Sequence, residues 1–502
     1  MKVLYIAAEC KPFSKSGGVG DVAGELPAAL KMKGVDVEVV SPGYGQGFED
    51  RTSSSLTLMF QGRLESAGIV PLRSDSVPVT LLTSRTYFGT DYSQGTRSEV
   101  PSRNPELFRQ DYSRPYVNSP HIPFYDDALR FSFFSEACLE IIRRRQPDVV
   151  HINDWPLGYL FGRMVMEGMP QRRILTIHNI GYQGNVGRSS IAGWDIEHIA
   201  KSPSIGHYFA DPRTAWNSVN PLRLGMELAH QVNTVSSRYK EEITQREDQS
   251  RYFEGGKGLE DVAARLDREG RLHGILNGFQ YSSEATEDVF NATLARKAEA
   301  KRELSGAFAS PDATLFGFVG RAVEQKFKLL AETVDQKSVL EHVLSLEGVN
   351  VAIVATGLPE YEKFLGRFVG RPNYSITIAF DRVKAAQISL GSDVLLMPSV
   401  FEPCGLTQLS SLRDATPPLV RWTGGLVDTV IPHTDPRGTG FGFDGRNSRE
   451  VLSNLITTVR DALKMRTQAS TAFRELQWRG FQKRFLWSTA ADLYIRELYE
   501  TG

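Results

Sequence analysis

The chain has 502 residues, more than a single hydrophobic core holds, so two or three domains are expected. Lys and Arg number 58 against 59 Asp and Glu, and this net charge of -1 argues against a basic nucleic-acid binder and against an acidic tail. Hydrophobic residues at 41% and charged residues at 23% describe a folded globular protein rather than a disordered one.

The first predicted strand is Val3–Ala8, behind Lys2. Glu9 stops that apolar run after six residues, short of a signal-peptide core. No stretch is long enough to span a bilayer, and Cys10, Cys138 and Cys404 are too few and too far apart for a disulfide framework. A reducing, cytoplasmic setting with no membrane partner is expected. After the strand comes Lys15-Ser16-Gly17-Gly18-Val19-Gly20-Asp21, then a helix over Val22–Lys33. Adjacent glycines at a helix N-terminus let backbone N–H groups meet an anion, although a plain tight turn fits the same letters. The spacing is neither the dinucleotide fingerprint nor a Walker A loop.

Further strands are predicted at Val35–Ser41, Val79–Leu82, Asp148–Asn153, Arg173–His178 and Val232–Ser236, with a helix over Asp126–Arg145. Tyr87–Ser119 is polar and rich in Arg, Ser and Pro, and reads as a long loop or lid. His151-Ile152-Asn153-Asp154-Trp155 and Thr176-Ile177-His178-Asn179 each close an apolar strand, the end at which open α/β sheets bind ligands. His151 reads as a satisfied near-core histidine, His178 as a cleft residue. No ligand spacing joins His151, Asp154 and His178, and no metal is expected.

Glycines crowd Glu254–Gly278, where the join between domains is expected. The strand rhythm then restarts at Leu315–Gly320, Val349–Ala355, Ser375–Ala379, Val394–Pro398 and Pro418–Trp422. Gly320-Arg321 ends one of these strands and Lys326 follows five residues later. A diphosphate would relieve the repulsion of these two cations, and a solvated surface pair is the plainer alternative. Phe401-Glu402-Pro403-Cys404-Gly405-Leu406-Thr407-Gln408 places a carboxylate, a glycine and a hydroxyl ahead of a helix. Thr423-Gly424-Gly425 is a second close-approach turn. Apolar strands alternating with helices in two series predict an α/β protein of two doubly wound, Rossmann-like domains facing across a cleft.

Taken together, KSGGVGDV, HINDW, TIHNIGYQG, GRAVEQK and FEPCGLTQL followed by TGGLVDTV resemble the bacterial glycogen synthases and plant starch synthases over nearly the whole chain. The resemblance implies a GT-B fold: an acceptor-side domain over residues 1–260, a nucleotide-sugar domain over 275–480, and a helix over 481–502 packing back on the first. It implies transfer of glucose from ADP-glucose to the non-reducing end of an α-1,4-glucan, glycogen or a maltooligosaccharide, with retention and without a cofactor. By resemblance, Lys15 contacts the sugar nucleotide, Arg321 and Lys326 neutralise the departing diphosphate, His178 lies beside the reacting sugar, and Glu402 orients its hydroxyls. Cys404, Gly405, Leu406 and Thr407 would hold phosphate and sugar through their backbones, with Gly17, Gly18, Asp21, Asp154, Asn179 and Asn277 completing the substrate-binding set. No convincing second carboxylate partners Glu402, which favours front-side transfer over a two-carboxylate mechanism.

The chain departs from the family at Phe327 (a glycine there), Leu358 (aspartate), Gln280 (aspartate) and Val400 (arginine). A catalytically weakened glucan-binding or regulatory homologue, and a related transferase using UDP-glucose or another acceptor, are the competing readings.

Overall fold

Strands that are apolar on both faces need cover on both sides, and the chain builds two such sheets. A computed structural model describes residues 1–89 and 125–500. The first sheet has nine strands, in the order Leu272–Gly274, Gln231–Thr234, Arg172–Ile177, Val149–Asn153, Lys2–Ile6, Asp36–Pro42, Val77–Thr83, Arg63–Ser74 and Ser54–Phe60. Seven run parallel, and the last two add an antiparallel hairpin that the sequence reading missed. The second sheet is wholly parallel, in the order Tyr374–Thr377, Val349–Gly357, Thr314–Ala322, Val394–Met397, Pro418–Arg421 and Phe441–Phe443.

Each sheet reverses its strand order once. In the first the reversal lies between Lys2–Ile6 and Val149–Asn153, in the second between Thr314–Ala322 and Val394–Met397. Loops leaving the carboxyl ends of strands at such a point diverge and leave a crevice.

Alternation along Lys2–Ile6 divides the first core. Leu4 and Ile6 pack on one face with Phe131, Phe134 and Ile142 of the helix Tyr125–Arg145. Val3 and Tyr5 pack on the other with Val22, Leu26 and Leu30 of the helix Gly18–Met32. That second face also receives Trp487, Tyr494, Leu498 and Tyr499 from the helix Trp487–Leu493 and the π-helix Tyr494–Tyr499. The chain therefore passes from first half to second and back. Phe279 N–H bonds Phe485 O at 2.7 Å where the two passes meet, and a Cβ on Gly278 would stand 2.5 Å from Trp487 Cα.

Two expectations need correction. The first half does not end at residue 260: the helix Glu260–Arg268 and the edge strand Leu272–Gly274 continue it, the latter pairing with Val232–Thr234. Of the glycines read there as the join, Gly255, Gly256, Gly274 and Gly278 serve close packing instead, since a Cβ on Gly256, for example, would lie 2.4 Å from Ile243 O. The expected loop Tyr87–Ser119 falls outside the described residues from residue 90 on, while Tyr87 and Phe88 are buried in the short helix Arg85–Phe88.

Candidate active site

A cleft of about 530 Å³ opens between the two reversal points. From the first half it is lined by Lys15, Gly17, Gly18, Asp21, Asp154, His178 and Asn179, and beyond them by Asn277. From the second half come Arg321, Lys326, Glu402, Cys404, Gly405 and Leu406. Thr407, also expected there, instead opens the helix Thr407–Arg413 and does not line the cleft. Sequence reasoning missed Glu9, Trp155, Tyr182 and Gln325, which do.

Glu9 changes the reading of the glycine loop. Its buried carboxylate accepts N–H bonds from Ser16, from Gly17 at 3.1 Å and from Gly20 at 3.0 Å. The chain's own side chain thus takes these amides, which the sequence reading offered to an anion. Burial raises the Glu9 carboxyl above its usual range, against the pull of those N–H bonds. Lys15 Nζ bonds both Asp21 carboxylate oxygens, at 2.7 and 2.6 Å, which holds the ammonium at the rim of the cleft.

Asp154 caps the strand Val149–Asn153 with φ +56°, a left-handed conformation that an aspartate adopts more readily than most residues. Its carboxylate accepts the backbone N–H of His178 at 2.7 Å and so fixes the end of the neighbouring strand. Burial pushes the Asp154 carboxyl up to about 7, against those backbone N–H bonds. The His178 ring bonds Asn153 Oδ1 through Nε2 at 2.9 Å. Asn153 donates its amide to Ile6 O and accepts from Tyr5 Oη, so Nε2 carries the proton. Among the described residues His178 Nδ1 meets no donor, which leaves it as an open acceptor. Burial pushes this histidine down to about 3, which keeps it neutral. His151 is satisfied as expected, by Tyr499 Oη at 2.7 Å and Thr176 Oγ1 at 2.8 Å.

Across the cleft, Lys326 Nζ pairs with the buried Glu402 carboxylate, which also accepts Ser399 Oγ at 3.1 Å. Arg321 is exposed, and its guanidinium has no hydrogen-bond or ion-pair partner among the described residues. Cys404 is buried, and burial pushes its thiol up to about 12 against hydrogen bonding to Asn277. Asn277 Oδ1 is buried without a partner. Gly424 and Gly425 let the following turn touch this loop: a Cβ on either would stand 2.1 Å from Glu402 O or 2.3 Å from Cys404 O. Among the described residues, no three His, Cys, Asp or Glu side chains group as a metal site requires. None of the described helices is long and apolar enough to cross a membrane.

The halves also touch beside Glu402. Ser236 Oγ bonds Pro403 O, and Glu242 accepts Thr423 Oγ1 at 3.1 Å and Gly424 N–H at 2.9 Å.

A family model described as starch synthase catalytic domain matches residues 2–265. The chain is 33% identical to a glycogen synthase of Exiguobacterium sibiricum, covering 99% of this chain and 98% of that one. It is 32% identical to a glycogen synthase of Lactococcus lactis subsp. lactis over the full length of both. Among solved structures, the catalytic domain of starch synthase IV from Arabidopsis thaliana, bound to ADP and acarbose, superposes with a TM-score of 0.77 at 26% identity. That match covers 99% of this chain and 98% of the other. A sucrose-phosphate synthase from Thermosynechococcus elongatus, at 14% identity and a TM-score of 0.55, shares the fold.

Proposed function

The chain belongs to the glycogen synthase and starch synthase family, and from that membership we propose its reaction: transfer of glucose from ADP-glucose to the non-reducing end of an α-1,4-glucan, with retention. The observation that carries the reading is the opposition of Lys15 and His178 on one wall to Arg321, Lys326 and Glu402 on the other. The bond between the glucose anomeric carbon and the β-phosphate oxygen breaks, and a bond to the acceptor 4-hydroxyl oxygen forms. The hydroxyl proton passes to the departing phosphate on the same face. Negative charge grows on the diphosphate as it leaves, and preset cations in a dry cleft lower that barrier most.

Each residue has a task in this scheme. Arg321, with no internal partner, is free to fork onto phosphate oxygens. Lys326 shares its charge between the diphosphate and Glu402, whose carboxylate takes the sugar hydroxyls. Neutral His178 offers Nδ1 to a sugar hydroxyl, and as a neutral ring it does not oppose positive charge developing at the anomeric carbon. Asn277 Oδ1 supplies a further unspent acceptor. No resident cofactor is called for, because the counter-charge comes from side chains. Three buried, unpaired cysteines fit a reducing compartment, and we assign the reaction to the cytoplasm.

Phe327 and Leu358 are the two departures that best support a weakened homologue, and Phe327 lies next to Lys326. Its ring is fully buried against Phe318, Tyr361 and Phe364 and is not part of the cleft lining. The deciding experiment is glucose transfer to glycogen from ADP-glucose and UDP-glucose in parallel, each with and without a chelator. Transfer from ADP-glucose that is faster than from UDP-glucose and indifferent to the chelator is expected. Binding of glycogen without transfer from either donor would refute the reading.

A further inference from the structure

The strand Pro418–Arg421 ends in a guanidinium only 3% exposed. Arg421 Nη1 donates to Val400 O at 2.5 Å and to Tyr252 O at 2.7 Å, and Nη2 donates to Arg251 O at 2.6 Å. Its Nε meets the Asp444 carboxylate at 3.3 Å. Arg251 ends the turn Gln249–Arg251 of the first half and Tyr252 follows it; Val400 belongs to the second half and stands two residues before Glu402. One rigid, planar fork therefore binds backbone from both sides of the cleft. Its geometry is satisfied in full only when the halves are together and the loop ahead of Glu402 is in one place.

Two observations extend the contact. Val400 N–H bonds Gln325 O at 2.8 Å and Gln325 Nε2 bonds Phe401 O at 3.3 Å, so the same loop is tied to the residue before Lys326. The Tyr252 ring, at a left-handed residue (φ +57°), leaves its own half and packs against the core of the second. A guanidinium placed to stabilise only its own domain would not need carbonyls of the other.

We propose that Arg421 is a positioning residue that couples approach of the two halves to the placement of Glu402, with Tyr252 as its counterpart on the first half. When the halves separate, the fork loses two of its three carbonyls, those of Arg251 and Tyr252, and the guanidinium that holds Val400 O is no longer fixed from the first half. The cationic clamp and the carboxylate then remain within the second half but no longer face a completed site. The proposal rests on the functional reading above only for its kinetic readout.

The test uses the full-length protein with Arg421→Gln and, separately, Tyr252→Ala, neither of which removes a cleft residue. Small-angle X-ray scattering in the presence of ADP measures closure, and steady-state kinetics measure transfer to glycogen. In both variants the radius of gyration is expected to exceed that of the wild type, with kcat lowered at least ten-fold and KM for glycogen within two-fold. Variants as compact as the wild type, or kcat within two-fold of it, overturn the proposal. If Arg421→Gln fails to fold, Tyr252→Ala decides by the same two readouts. A wild type that transfers no glucose refutes the function reading, while the scattering comparison still decides this one.

Discussion

Arg321 and Lys326 are five residues apart, yet removing them should not cost the same. Arg321 is exposed and unpartnered, so Arg321→Ala should lower kcat by roughly 100-fold and leave the melting temperature unchanged. Lys326→Ala should lower kcat comparably and also destabilise the fold by roughly 1–3 kcal/mol, because it strands the buried Glu402 carboxylate. Kinetics and thermal melts on the two variants separate these effects. Asp154 gives a pH signature. Its folded carboxyl titrates at about 7, above the ordinary value of roughly 3.9, so its contribution to stability is full below the ordinary value and lost as pH rises through 7. Asp154→Asn should therefore raise the melting temperature relative to wild type more at pH 8 than at pH 5, by at least about 2 °C. An equal difference at both pH values would contradict the shift. At this scale the sequence was legible where a charged or polar residue closes an apolar strand, as with His178, Arg321 and Glu402. It was silent on Glu9 and Asn153, because a carboxylate or amide turned inward onto backbone leaves no pattern in the letters around it.

The helix Glu324–Ala331 shows how an element absorbs a change of residue. Lys326 and Phe327 share its first turn, one facing the cleft and the other the core, so the aromatic ring that replaces a family glycine fills interior space. Phe327→Gly should remove that packing and add a helical glycine, a loss of roughly 4–6 kcal/mol, with no gain in kcat/KM for ADP-glucose. Faster transfer at an unchanged melting temperature would show that the ring obstructs the site. The neighbouring elements were legible because strands such as Val349–Gly357 carry a mostly apolar run that is buried on both faces from Val349 to Ala355, a pattern few alternatives share. The hairpin Ser54–Phe60 and Arg63–Ser74 was not, since its alternating residues half face solvent and its 12-residue strand is broken by Gly68 and Pro71. The short strands Leu272–Gly274 and Phe441–Phe443 exist through pairing with a neighbour rather than through their own composition.

At the scale of the whole molecule, the interior of the first half is shared with residues that follow the second. Trp487 packs in the first-half core while its Nε1 donates to Glu25 at 2.7 Å, and Tyr494 and Tyr499 hydroxyls bond Asn233 and His151 beneath the first sheet. Trp487→Ala should cost roughly 3–5 kcal/mol and should lower the melting of the first half rather than the second. Protease protection followed by mass spectrometry would locate the loss. This shared interior also orders events in time. Residues 487–499 are made only after the entire second half has been synthesised, so the first half, although synthesised first, has to wait with one face of its sheet open. The usual order in which an earlier domain finishes folding before a later one begins is reversed for its last step. During that interval the face that carries Tyr5 and His151 stays open to wrong contacts until the last tyrosines dock.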